Sequence, residues 1–414
     1  MLGQELVERR KQAELQAALS APLVKVIIGP RRSGKTVLSL LLQRNREDDY
    51  YYVNFDDEVL SSVGPADLNE VLELMLELFG QKKYLIMDEI QNVDKWEFFV
   101  NRLLRADYNI ILTGSNSRLL SKELSSALTG RSLTVELYPF SFEEYLISKK
   151  ISFEARTTRE ISEMRGRLSD YMELGGFPEV LFQFTGEGYA DALRRKYLKE
   201  LFDATINRDV MHRHRMRYPR ELIESANVIT SNFSRRTSFK KLAREIGVSE
   251  HTLKKYAGYL EEAYLIISVK KFSPKPLDIE KSIRKYYSVD TGYIHAKGLS
   301  SSENLGLLME NLVAVELKRR GHEFYYYLLN DRNEIDFVIR ENRRITEVIQ
   351  VTYDEGELKE REVANGFETA RQLGAKKLTI ITWYREEEDQ KEDISICLVP
   401  LWKWLTDYSF AGFK

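Results

Sequence analysis

Gly29-Pro30-Arg31-Arg32-Ser33-Gly34-Lys35-Thr36 fits the phosphate-loop pattern GxxxxGK[ST] at every fixed position. An apolar run, Val24 to Ile28, precedes it, and an amphipathic run, Val37 to Leu42, follows. The segment therefore reads as strand, loop and helix, the context such a loop needs. Glycines let backbone N–H groups turn toward a phosphate. Lys35 reaches the β- and γ-phosphates, Thr36 offers a hydroxyl to Mg²⁺, and the helix that begins there adds its positive dipole end. These eight residues and Val37 are the expected contacts of ATP with Mg²⁺. A chance glycine-rich turn is the plainer alternative, and the flanking strand and helix weigh against it.

A second motif supports the first. Lys83 to Glu89 is an apolar strand that ends in two carboxylates, the Walker B form. Asp88 would hold Mg²⁺ through water, and Glu89 would orient or deprotonate the attacking water. Tyr51 to Phe55 reads as a strand between the two motifs. Asn109 to Asn116 is a third buried-strand pattern with a small polar end. Ser115 and Asn116 there are candidates to sense the γ-phosphate, or plain turn residues. Arg131 is a candidate arginine finger for a neighbouring subunit's nucleotide, with Arg118 a second; each also reads as a surface arginine. The order of these strands implies a parallel sheet with helices on both faces and nucleotide at the carboxyl ends of the strands. Between them, Leu68 to Phe79 reads as a helix with Leu72, Met75, Leu76 and Phe79 on one stripe.

Composition bounds the rest. A chain of 414 residues is too long for one core, and 43% hydrophobic with 30% charged residues describes a globular protein without a spanning segment. The single cysteine, Cys397, excludes an intrachain disulfide or a Cys-cluster metal site, and a reducing cytoplasm is the simplest expectation. The net charge of −2 is unevenly spread: Arg194 to Val289 carries 22 Lys or Arg against 11 Asp or Glu. A basic block of that kind points to DNA, the alternatives being a solvated surface or a face docked on acidic parts of the protein itself.

GPRRSGKT, VNFDDE (53–58), LIMDEIQNV (85–93), LTGSNSRLLS (112–121), LTGRSLTVELYPFSFEEYL (128–146), GGFPEV (175–180), ENLVAVELKRRG (310–321) and EIDFVI (334–339) together resemble the AAA-type ATP-binding proteins with a DUF4143-type C-terminal part. The resemblance covers most of the chain. It implies a P-loop ATPase core (1–137), a helical lid (138–218), a winged helix (219–292) and a PD-(D/E)XK nuclease-like domain (293–414). Pro139 breaks the strand before the lid and Ser141 can cap its first helix. Arg194, Arg195 and Arg208 are all available as a second sensor.

The residues themselves read as helix-turn-helix in the basic block. Leu242 and Ile246 face inward, Gly247 permits the turn and Ser249 caps the second helix. Leu253, Tyr256 and Leu260 form that helix's buried stripe, leaving His251, Thr252, Lys254 and Lys255 toward solvent or a major groove. Ala263 to Phe272 reads as a first wing strand with Lys270 and Lys271 near its tip. Such modules serve DNA or protein contact.

The nuclease resemblance makes Glu310 the helix acid, Asp336 the strand acid and Glu347 the next acid, all for Mg²⁺. Where the pattern asks for lysine the chain has Ile349, so activity is not the expectation; Lys359 is a candidate for a migrated lysine. The function expected is Mg²⁺-dependent ATP hydrolysis coupled to DNA binding or remodelling in a homo-oligomer. The other readings are a nucleotide-gated scaffold for protein partners and an ATP-gated nuclease.

Overall fold

The computed structural model describes residues 6–43, 50–117, 128, 130–184, 189–216, 218–298, 304–353 and 357–406, with the backbone alone at 357–360. Arg118 and the Lys359 side chain lie outside the described residues. The chain forms two compact units: Met1–Pro139 with Glu262–Tyr264, and Phe140–Glu261 with Leu265–Lys414. Among the described residues no helix is long and apolar enough to cross a membrane.

The first unit is built on a five-stranded sheet. Its strands are β1 (Val24–Ile28), β2 (Tyr50–Asn54), β3 (Tyr84–Asp88), β4 (Asn109–Gly114) and β5 (Ser132–Glu136), in the order β2-β3-β4-β1-β5. Every pairing is parallel, as the motif order requires. β1 and β3 are buried at all five positions, the pattern of strands covered on both faces. β2 lies at an edge and alternates, with Tyr51 and Val53 buried and Tyr52 exposed. Leu15 and Leu19, from the region of the helix Arg10–Ala18, join Leu38 and Leu42 over Ile27, Ile86, Ile111 and Val135. The helix Leu68–Phe79 buries Leu68, Leu72 and Met75, but Phe79 is 62% exposed. The stripe stops one turn early because Gly80 takes a left-handed φ of 67° and ends the helix there.

The second unit joins helices to two sheets. Ser141 caps the helix Phe142–Ser148 in a reciprocal box with Glu144. The helices Thr158–Leu174 and Tyr189–Thr205 follow, the latter running into a π-helical turn at Ile206–His212. The helices Phe239–Ile246 and Glu250–Glu262 are joined at Gly247, whose φ of 84° suits glycine. Leu253, Tyr256 and Leu260 are buried as expected. A small antiparallel sheet, β6-β8-β7, consists of β6 (Arg236–Thr237), β7 (Ile266–Val269) and β8 (Arg284–Ser288).

The larger sheet is mixed. It comprises β9 (Glu323–Leu329), β10 (Asn333–Glu341), β11 (Arg344–Val351), β12 (Lys377–Thr382), β13 (Glu387–Lys391) and β14 (Ile394–Pro400), in the order β13-β14-β12-β11-β10-β9. β11-β12-β14 are parallel, and the outer pairings are antiparallel. Val338, Val348, Leu378, Ile380 and Ile396 pack with Phe367 and Ala370 of the helix Glu357–Leu373.

The Gly175-Gly176 turn has a specific anchor in this unit. The buried Asp290 carboxylate accepts the N–H of Gly176 at 2.8 Å and of Gly292 at 2.9 Å. Burial pushes its carboxyl up to about 6 despite those two bonds. A Cβ on Gly175 would stand 1.8 Å from Asp290 Oδ1, at a φ of +75°. Gly175→Ala is expected to cost about 3 kcal/mol or more, from the clash and the strained backbone together. An unchanged Tm would refute this packing.

Candidate nucleotide site

Parallel pairing sets the site. β1 lies between β4 and β5, where strand order reverses, and its carboxyl end carries the loop 29–36. A crevice at the carboxyl ends of such strands is where an open parallel sheet binds ligands. Gly29 is required by close approach: a Cβ there would stand 2.1 Å from the Leu137 carbonyl oxygen. Gly34 (φ 94°) and Arg32 (φ 67°) both take left-handed backbone, which turns the loop into the helix Lys35–Leu41.

The polar groups converge on this loop. Lys35 is buried, and its ammonium donates to the carbonyls of Gly29 (3.1 Å) and Pro30 (2.9 Å), 3.9 Å from Glu89. The Thr36 hydroxyl donates to Asp88 at 2.7 Å. Parallel register brings Asp88 level with the end of β2, and Thr113 of β4 also donates to it. The Ser33 hydroxyl is buried without a hydrogen-bond partner among the described residues. Glu89 has φ 52° and ψ 38°, a left-handed backbone uncommon for a side-chain-bearing residue. Its carboxylate accepts the Ser115 hydroxyl at 3.1 Å and the Ser115 N–H at 3.2 Å, and Gln91 donates as well. Of the two candidate sensors, Ser115 therefore touches Glu89; Asn116 is buried next to it in the chain.

These residues suit a nucleotide with Mg²⁺. The loop supplies glycine backbone, a buried ammonium and a buried free hydroxyl, and Thr36 with Asp88 forms an oxygen pair of the hard type that Mg²⁺ takes. Arg31 pairs with Asp56 at 3.3 Å, while Arg32 and Val37 are exposed. Arg131 is elsewhere. Its carbonyl accepts the Val24 N–H at the amino end of β1, so a strand of about 17 Å separates it from the loop. Within one chain it does not reach its own phosphate loop.

Sequence reading missed two participants. Tyr52, exposed along its ring, donates its hydroxyl to Asp88 at 3.0 Å, and loss of water around that hydroxyl, with the Asp88 charge next, raises it well above the usual range. Arg9 donates to the carbonyls of Ser33 (2.9 Å) and Tyr138 (2.7 Å) and so braces the loop from outside its own motif. A tyrosine on an edge strand and an arginine ahead of the first helix carry no local signature.

In the second unit, Lys254 pairs with Glu250 at 2.7 Å, Lys270 with Glu280 at 2.7 Å and Lys271 with Asp331 at 3.1 Å. The strand there is Ile266–Val269, shorter than the expected 263–272, because the chain leaves the pairing with β8 at Lys270. His251 and Lys255 are exposed, and Thr252 bonds with the capping Ser249 at 2.8 Å.

Glu310 and Asp336 are brought together, joined by Glu334 and by Lys285 of β8. Glu347 is not among them. β11 sets Ile349 opposite Phe337, so Gln350 meets Asp336: the Asp336 N–H donates to Gln350 at 3.2 Å, and the Val351 N–H donates to Asp336 at 2.8 Å. Glu347 lies farther along β11, opposite Ile339, and pairs with Lys377 at 3.1 Å. The pairing register between the two strands, which a count along one strand does not contain, sets these partners.

Comparison with known proteins divides the chain into three matched segments. Residues 21–146 match the AAA domain, 165–303 a domain of unknown function (DUF8612) and 305–404 another (DUF4143). The chain is 36% identical to the uncharacterized protein MJ1544 of Methanocaldococcus jannaschii, over 95% of this chain and 91% of that one. It is 31% identical to an uncharacterized protein of Haemophilus influenzae, over 92% and 94%. Among solved structures, the Thermotoga maritima RuvB Holliday junction branch migration motor is similar at 14% identity, over 63% of this chain and 89% of that one, with a TM-score of 0.32; so loose a likeness carries no function across.

Proposed function

The chain belongs to the same family as these two relatives, with an AAA domain at one end and a DUF4143 domain at the other, and from that membership we propose that it is a Mg²⁺-dependent ATPase. The observation that carries the reading is the meeting of Lys35, Thr36, Asp88 and Glu89 at the carboxyl ends of β1 and β3. Lys35 and the loop amides bind the phosphates. Thr36 and Asp88 would hold Mg²⁺, which supplies charge neutralisation to the phosphoryl group. Glu89, held by Ser115, takes the proton of the attacking water. Arg131 acts on a neighbouring subunit, and the working form is a homo-oligomer.

DNA is the proposed partner. The helix-turn-helix at 239–262 and the antiparallel strands that follow suit a winged helix, and His251 and Lys255 are exposed on its second helix. Hydrolysis is measured with and without duplex DNA, and binding is measured from low to high salt. Stimulated hydrolysis and a steep loss of affinity with salt are expected. No hydrolysis by the wild type at any protein concentration would end the ATPase reading, and no binding at low salt the DNA reading. The pairing of Lys254, Lys270 and Lys271 with acids favours a second reading, a nucleotide-gated switch that binds a protein. Salt-insensitive ATPase without DNA binding would select it.

A further inference from the structure

β8 carries a lysine into the acid cluster of the second unit. Lys285 is 0% exposed, and its ammonium lies 2.5 Å from Glu310, 2.6 Å from Glu334 and 3.8 Å from Asp336. Tyr287, two residues on along the same strand, donates to Glu310 at 2.6 Å. Arg236 of β6 takes the other oxygen of Glu334 at 2.8 Å. Asn311 accepts the Ser288 N–H and donates to its carbonyl, so β8 is fastened beside the helix Leu305–Arg319. Lys285 and Arg236 lie within the DUF8612 match, and the three acids lie within the DUF4143 match.

The acids already have cationic partners. Burial and the neighbouring Glu310 hold the Asp336 carboxyl well above the usual carboxylate range. Burial raises the Glu310 carboxyl as well. Lys285 reaches all three acids and Arg236 reaches Glu334, so the cluster is already served by two cations. Burial lowers the affinity of Lys285 for its proton, but the three acids outweigh that and raise it. A doubly charged ion added here would meet an ammonium at contact distance in a low-dielectric setting, which is strongly repulsive. Among the described residues no three His, Cys, Asp or Glu side chains are arranged to hold a metal ion. The residues therefore do not fit the Mg²⁺ that the nuclease resemblance implies.

We propose that the Lys285 ammonium is the resident cation of this cluster, and that a divalent cation enters only when it is removed. The C-terminal sheet then works as a metal-free part of the protein, with DNA cleavage outside its chemistry. A buried pair of this kind tolerates loss of one partner poorly, so the acids need some cation.

Mn²⁺ is the probe, titrated by electron paramagnetic resonance into the nucleotide-free full chain. The wild type and Asp336→Asn should bind Mn²⁺ alike. Lys285→Ala should bind one ion more per chain, and that ion should be lost in Lys285→Ala/Asp336→Asn. Mn²⁺ should raise the Tm of Lys285→Ala by more than it raises that of the wild type. If Lys285→Ala fails to fold alone, refolding in Mn²⁺ decides: recovery supports the proposal and no recovery overturns it. Asp336-dependent Mn²⁺ binding or plasmid cleavage by the wild type would overturn it, as would a folded Lys285→Ala that gains no ion.

Discussion

Glu89→Gln is expected to bind ATP as the wild type does and to lose about 10²- to 10⁴-fold in turnover, the usual contribution of a positioned general base. The substitution keeps the shape of the side chain. A glutamine oxygen can accept from the Ser115 hydroxyl and N–H as the native carboxylate does at 3.1 and 3.2 Å, so the left-handed backbone at φ 52° stays supported. That backbone costs about 1–3 kcal/mol and persists where its surroundings over-determine it. Here the Glu89 N–H is also fixed by the Thr113 carbonyl at 3.1 Å. What is lost is basicity and the negative charge 3.9 Å from Lys35. Calorimetric ATP binding and single-turnover hydrolysis separate the two effects. Hydrolysis retained in Glu89→Gln removes Glu89 from the role assigned to it.

Lys35→Ala is expected to weaken ATP binding by about 10- to 100-fold, since a hydrogen bond to a charged group contributes about 1.5–3 kcal/mol. Turnover should fall with it, because the ammonium also meets charge that develops on the transferred phosphoryl group. The fold should survive. Lys35 donates to the Gly29 and Pro30 carbonyls, and its removal leaves two acceptors rather than an unpaired buried donor. ATP affinity equal to that of the wild type, with an unchanged Tm, would place the phosphates somewhere other than this loop.

Local sequence carried the nucleotide site because its chemistry is local. Lys35 and Thr36 begin the helix that follows β1, Asp88 and Glu89 stand at the end of β3, and a parallel sheet with only β4 between those strands brings their carboxyl ends together without further instruction. The same logic made the helix-turn-helix legible, since Gly247, Leu253, Tyr256 and Leu260 follow backbone and helical-face rules. It failed at Glu347, where alternation counts along one strand but the pairing of β10 with β11 decides which β11 residue meets Asp336. It failed also at Phe79, where helical periodicity continues the stripe but the residue is exposed in the last position before Gly80 ends the helix.

The sequence by itself determined a phosphate loop, an acid pair and the parallel sheet that joins them, because glycine conformation, strand burial and motif order act over a few residues. Only the tertiary structure decided which distant groups complete or cancel that chemistry. Tyr52 and Arg9 reach the loop region from other elements, Arg131 ends a strand's length from it, and Lys285 fills the acid cluster. The last is the plainest case. One ammonium meets three acids only when β8 lies beside β10 and the helix Leu305–Arg319, and no spacing along the chain encodes that distance.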